Sequence, residues 1–264
     1  MADFLDIRGL TKHFGGILAV EDLSLSVAQG TVLGIIGPNG AGKTTVFNLI
    51  TGVYPPSEGE LLLEGQSLAG LPPHTIVQRG VARTFQNIRL FRNLTVRQNI
   101  VTALDLRQKP YSLAQALLCN PPFVESPVKA GERALRERAM TYLELVGIEA
   151  QADRRADNLP YGLQRKLELA RALALEPKLL LLDEPAAGMN PDESMELCAL
   201  IRSIQRQLSL TVLVIEHHMD LVMELCDRLC VLSFGKKLAE GTPAEIQSDP
   251  AVLKAYLGEG WVRA

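Results

Sequence analysis

Gly37-Pro38-Asn39-Gly40-Ala41-Gly42-Lys43-Thr44-Thr45 is the stretch around which the chain is organised. It satisfies the phosphate-binding pattern G-x-x-x-x-G-K-[ST] at every required position. The flanks agree with it. Thr31 to Ile36 reads as a short buried strand leading in, and Val46 to Ile50 as a helix leading out. A strand–loop–helix order matters because loop amides and a helix N-terminus together form a site for anionic phosphate. Glycine lets the backbone turn sharply and come close to a phosphate. The pattern assigns Lys43 to the β and γ phosphates and the Thr44 hydroxyl to a magnesium ion. Gly37, Pro38, Asn39, Gly40, Ala41, Gly42, Lys43, Thr44 and Thr45 are the candidate nucleotide-binding residues.

With 264 residues, the chain is long enough to bury a sizeable core. The net charge of -3 argues against a protein that lives on nucleic acid. Four cysteines, Cys119, Cys198, Cys226 and Cys230, form no CxxC pair and have no histidine at metal-ligand spacing. They read as buried free thiols of a reducing compartment. The first residues lack the basic and apolar regions of a signal peptide, and no apolar run is long enough to span a bilayer. A cytoplasmic protein is expected.

Along the chain, Phe4–Leu10, Leu23–Val27 and Glu60–Leu63 read as strands, with Lys12 to Gly16 as a loop. A proline-led helix follows Leu71, and Val81 to Gln86 runs as a strand into a loop. Thr95 reads as the N-cap of a helix. Prolines 110, 121, 122 and 127 break a helical insertion between about 105 and 130. Ala130–Val146 and Gln164–Leu175 carry apolar residues at helical spacing, and Gly147 follows the first. Leu179–Leu182 and Val212–Ile215 are short, wholly apolar runs of the kind found inside parallel sheets. Arg228–Ser233 and Lys236–Glu240 form a hairpin about Phe234-Gly235. Alternating helices and apolar strands make this an α/β chain with a largely parallel core sheet.

Two strand tips carry further chemistry. Leu179–Leu182 leads into Asp183-Glu184, and ligands in open α/β sheets sit at the carboxyl ends of strands. Asp183 suits a magnesium ion through its water shell. Glu184 suits a general base toward a water attacking the γ-phosphate. Val212–Ile215 leads into Glu216-His217-His218. The two tips are expected side by side, which brings His217 to the γ-phosphate and leaves His218 in solvent. Gln86 sits after a strand, where its amide can touch magnesium or the attacking water.

Taken in order, Phe14, the 37–45 loop, Gln86, Leu159-Pro160-Tyr161-Gly162-Leu163-Gln164-Arg165, Leu179–Glu184, Ala187-Gly188-Met189-Asn190 and His217 resemble the ATP-binding subunit of ABC transporters. The resemblance covers nearly the whole chain. It implies a P-loop NTPase of ABC type with a mixed or parallel core sheet, an N-terminal antiparallel β subdomain and a helical subdomain. It implies one domain over 1–264, with the helical subdomain at about 87–175 and a C-terminal hairpin and helices over 228–264. By the same resemblance Phe14 stacks on adenine, and Tyr161 and Gly162 belong to the signature that grips the nucleotide of a partner subunit. Gln86 links the site to the membrane subunit, and Asn190 lies in the partner-facing loop. ATP and Mg2+ are the implied cofactors. Catalysis falls to Glu184, His217 and Gln86, and the metal to Thr44, Gln86 and Asp183.

Two departures accompany the resemblance. Pro160 and Leu163 stand where the LSGGQ pattern has serine and glutamine, and Ala187 and Asn190 replace the usual serine and aspartate. The stretch Ala82–Phe91, the Pro/Tyr-type signature, Ala186–Pro191 and the tail from Gly241 to Glu259 are similar to the larger ATP-binding subunit of branched-chain amino-acid importers, the LivG type. That similarity implies a homologous ATP-binding subunit as partner, in a heterodimer or alone as a homodimer. It further implies two transmembrane permease subunits, an indirect link to a periplasmic solute-binding protein, and a place on the inner face of the cell membrane. The cytoplasmic ATPase of lipopolysaccharide export shares the tail but keeps the serine and glycine of the signature. Soluble ABC-type ATPases acting on ribosomes or DNA usually carry two ATPase units or a long coiled coil.

Overall fold

The computed structural model describes residues 4–106 and 127–257. Most of the insertion expected between about 105 and 130, and Cys119 with it, lies outside the described residues. The chain divides into two units, one of residues 1–86 with 178–264 and the other of residues 87–177.

The first unit holds two sheets. An antiparallel sheet has the order β2-β1-β4-β5, with β1 at Leu5–Phe14, β2 at Ile17–Val27, β4 at Glu58–Leu63 and β5 at Gln66–Ser67. The second sheet has six strands in the order β10-β9-β3-β8-β7-β6. These are β3 (Val32–Ile36), β6 (Val81–Arg83), β7 (Leu179–Asp183), β8 (Thr211–Ile215), β9 (Arg228–Ser233) and β10 (Lys236–Gly241). All neighbours in it are parallel except the β9–β10 hairpin. Every residue of β3, β7 and β8 is buried, as an unbroken apolar run predicts for a strand covered on both faces.

Helix α1 (Lys43–Ile50) shares one apolar cluster with both sheets. Val46, Phe47, Leu49 and Ile50 of α1 join Leu5, Ile7 and Leu61 of the antiparallel sheet. From the parallel sheet come Leu33, Ile35, Leu179, Leu181, Leu213 and Ile215, alternate residues that a strand puts on one face. Burying each such side chain contributes about 1.5–3 kcal/mol, so α1 is clamped at several points. The unit also contains α2 (Pro73–Gln78), α6 (Pro191–Leu208), α7 (Met219–Leu225), α8 (Pro243–Ser248) and α9 (Pro250–Leu257). Burial pushes the thiols of Cys198, Cys226 and Cys230 up to about 12, so they behave as small apolar residues.

The second unit is helical: α3 (Val96–Asp105), α4 (Pro127–Leu145) and α5 (Tyr161–Leu173). Thr95 caps α3 as expected, in a capping box in which its side chain accepts from the N–H of Gln98 at 3.1 Å. Gly147 takes φ 69° just past α4, a value open to glycine without cost.

Some elements differ from expectation. Lys12, His13 and Phe14 belong to β1, which pairs to its end with β2 through a two-residue Gly15-Gly16 turn. The alternation of polar residues there belongs to a half-exposed strand and not to a loop. The strand expected over Val81–Gln86 stops at Arg83, where pairing with β7 ends. Helix α5 begins at Tyr161, three residues before the expected Gln164, because Pro160 at its N-cap offers no side-chain signal.

Candidate active site

The loop between β3 and α1 depends on two glycines. Gly37 has φ 151°, and a Cβ there would lie 2.2 Å from the Leu232 carbonyl oxygen. Gly42 has φ 101°, and its Cβ would lie 2.6 Å from the Ala19 carbonyl oxygen. Both positions combine a backbone that disfavours L side chains with backbone neighbours that cannot yield. Gly42 is the N-cap of α1 and supplies no side-chain hydrogen bond to it, which leaves first-turn N–H groups open to an anion. The Lys43 ammonium donates to the carbonyls of Gly37 at 2.6 Å and Pro38 at 3.0 Å. Burial of Lys43 lowers its pKa, opposed by the charges of Glu184 and Asp183. It is a cation held largely out of water and ready for a better counter-charge.

Beside the loop lies a cavity of about 490 Å³. Asn39 to Thr45 line it on one side and Ile17, Leu18 and Ala19 on another, and Gln86, Glu184, Phe234 and Gly235 complete the wall. The strand register explains why distant residues meet here. Asp183 at the end of β7 pairs with Ile215 at the end of β8, so Glu184 and His217 follow neighbouring tips. Glu184 donates its N–H to the Ile215 carbonyl at 2.9 Å and has φ 46°. A left-handed backbone on a non-glycine residue costs on the order of 1–3 kcal/mol. That bend sits at a residue whose carboxylate faces the cavity. The Gln86 amide donates to Glu184 Oε2 at 2.7 Å, and His217 Nδ1 lies 3.7 Å from the same oxygen. Two candidate residues from separate segments therefore approach one oxygen of the third, and Gln86 and Glu184 share the cavity wall with Lys43 and Thr44.

Asp183 is held differently. Its Oδ2 accepts from Arg83 Nη2 at 2.7 Å, and both side chains are almost fully buried. Arg83 also donates to Asn48 Oδ1 at 2.7 Å and lies over the rings of Phe47 and Phe85. The guanidinium thus ties the Asp183 carboxylate to α1. Arg83→Met should leave that carboxylate buried and unpaired and lower stability by about 3–5 kcal/mol. Urea unfolding checks this. An unchanged midpoint would show that the pair carries no load.

A sequence profile described as "ABC transporter" matches residues 20–187. The chain is 47% identical over 255 residues to the "High-affinity branched-chain amino acid transport ATP-binding protein LivG" of Escherichia coli strain K12, covering 97% of this chain and 98% of that one. The chain belongs to the ABC transporter ATP-binding family. A profile described as "Branched-chain amino acid ATP-binding cassette transporter" matches residues 236–262. Identity to the "Lipopolysaccharide export system ATP-binding protein LptB" of the same strain is 34%, over 97% of both chains. The crystal structure of the ADP conformation of MJ1267, "an ATP-binding cassette of an ABC transporter", superposes with a TM-score of 0.83 at 30% identity, covering 98% of this chain and all of that one. The α/β P-loop architecture and its ATP-binding role are those of an ABC ATPase, and its relatives are subunits of membrane transport complexes. No helix among the described residues is long and apolar enough to cross a membrane itself.

Other candidate residues of this ABC ATPase sit as follows. Phe14 does not line the cavity. Its ring meets Tyr54 edge-on at 5.0 Å, and the Lys12 ammonium lies 5.1 Å from its centroid. Phe234, at the tip of the β9–β10 hairpin and 89% exposed, does line it. Tyr161 and Gly162 occupy the first turn of α5 in the second unit, where the Tyr161 hydroxyl accepts from Arg165 Nη2 at 3.0 Å. Asn190 caps α6, accepting from the N–H of Glu193 at 2.9 Å, so it has a folding role of its own. His218 is solvent-exposed as expected, and its Nδ1 lies 3.3 Å from Glu216 Oε2. Arg83, Phe234 and Glu216 contribute contacts to which no motif assigns a role. Arg83 offered one signal, a charge at the end of an otherwise apolar strand.

Proposed function

We propose that the chain is the larger ATP-binding subunit of a membrane importer for branched-chain amino acids or related small solutes, and that it hydrolyses ATP to drive that import. The observation that carries the catalytic part is the Glu184 carboxylate on the P-loop cavity, with Gln86 at 2.7 Å and His217 at 3.7 Å from one oxygen. Likeness to LivG and the matched C-terminal segment support the choice of solute class.

In this reading Lys43 and the loop amides hold the β and γ phosphates. Gln86 orients Glu184, which accepts a proton from water as the water oxygen bonds to the γ-phosphorus. The bond to the bridging oxygen breaks, leaving ADP and phosphate, while His217 steadies the γ-phosphate. Thr44, Gln86 and Asp183 offer oxygen donors that suit a hard cation. Mg2+ bound by them would offset phosphate charge. Phe14 is assigned to the base, although its ring is engaged by Tyr54 and Lys12.

The chain is read as one ATPase domain whose helical part presents Tyr161 and Gly162 to the nucleotide of a homologous subunit. Two permease subunits and, through them, a periplasmic binding protein complete the assembly on the inner face of the membrane. Purification of the tagged chain from membranes should bring down one homologous ATPase and two polytopic proteins. Recovery with ribosomes would contradict the reading.

A further inference from the structure

Between β8 and α7 the chain reads Glu216-His217-His218. Glu216 is 1% exposed, and its carboxylate is pinned by backbone N–H groups. Ala186 donates to Oε1 at 3.3 Å, and His217 and His218 donate to Oε2 at 3.0 and 3.4 Å. That carboxylate cannot swing away. Both imidazoles turn toward it: His218 Nδ1 is 3.3 Å and His217 Nδ1 is 3.9 Å from Oε2. The rings lie 4.1 Å apart at 38°, and one coordinating atom from each of the three residues falls within 4.8 Å of the others. His218 is the N-cap of α7 yet makes no side-chain capping bond, so helix formation does not explain where its ring points.

We propose that Glu216, His217 and His218 form a binding site for a borderline transition-metal ion such as Zn2+, and that its occupancy inhibits ATP turnover. Two imidazoles and a carboxylate favour such an ion over Mg2+ or Ca2+. Four-coordinate zinc with bonds of about 2.0–2.1 Å keeps its ligand atoms about 3.3 Å apart; His218 Nδ1 already stands at that spacing from Glu216 Oε2, and His217 Nδ1, at 3.9 Å, would close in by a small turn of its half-exposed ring. Water would complete the coordination sphere, since Glu184 Oε2 lies 3.7 Å from His217 Nδ1 but is engaged by the Gln86 amide at 2.7 Å. The half-exposed rings give the ion a route in. Zn2+ on His217 withdraws that imidazole from the γ-phosphate and places a positive charge beside the Glu184 carboxylate, 3.7 Å from His217 Nδ1. The inhibitory part rests on the catalytic reading above; the binding part does not.

The test titrates the full-length chain with Co2+ followed by absorption, and with Zn2+ by calorimetry. One ion per chain is expected, with the bands of a four-coordinate nitrogen and oxygen site and no thiolate charge transfer. His218→Ala should weaken binding at least about tenfold. It should leave turnover without added Zn2+ unchanged and abolish inhibition by Zn2+. Wild-type binding no tighter than that of His218→Ala, or thiolate bands, would overturn the site. Binding without inhibition would overturn the regulatory part. If Glu184→Gln kept full turnover, the catalytic reading would fail while Co2+ binding at the histidines could still stand.

Discussion

Glu184→Gln should lower ATP turnover by roughly 10²–10⁴ and leave nucleotide affinity close to that of the wild type. The substitution keeps the size of the side chain and its contact with Gln86, so the cavity wall survives. It removes only the charge that takes the proton. The residue's left-handed φ of 46° remains too, so folding stability should not move. Turnover measured beside equilibrium ATP binding separates these effects. Retained turnover would reject Glu184 as the base. A large loss of affinity would mean that the carboxylate organises the pocket and does not act chemically.

The second large effect is expected at Lys43. Hydrogen bonds to charged groups contribute about 1.5–3 kcal/mol, so Lys43→Met should weaken ATP binding by roughly 10- to 100-fold. Methionine keeps much of the aliphatic stem and removes the ammonium that donates to Gly37 and Pro38. Because burial already lowers the Lys43 pKa, its charge is costly without a strong counter-charge. Removing it should therefore not destabilise the fold greatly. Calorimetric titration with ATP checks the affinity, and thermal unfolding checks the fold. Unchanged affinity would contradict the assignment of this loop to phosphate.

The phosphate loop and the two wholly buried strands were legible because their chemistry is local. Nine consecutive residues define the loop, and the apolar runs of β7 and β8 define strands covered on both faces. Glu184 and His217 were legible one step further, since parallel neighbours put their tips together. Helix α3 was legible from Thr95 because a capping box is written in four residues.

Contacts with no local signature were not. Arg83 meets Asp183 across 100 positions in the chain, and nothing near either residue announces the pair. Phe234 reaches the cavity because two hairpins from different sheets meet there: Glu21 donates its N–H to the Gly235 carbonyl at 2.8 Å. Phe14 shows the converse. Its role as a base platform came from the resemblance, and its contacts with Tyr54 and Lys12 follow from nothing in the motif. The turn of His218 onto Glu216 depends on a carboxylate fixed by the Ala186 amide from another loop.

ATP hydrolysis by this chain should drive the import of branched-chain amino acids. The most direct measurement is ATP-dependent uptake of radiolabelled leucine, isoleucine and valine by cells lacking the chain and supplied with either the wild type or Glu184→Gln. Uptake is expected with the wild type and none with Glu184→Gln, at equal amounts of membrane-bound subunit. Equal uptake with both, or no dependence of uptake on the chain, would contradict it.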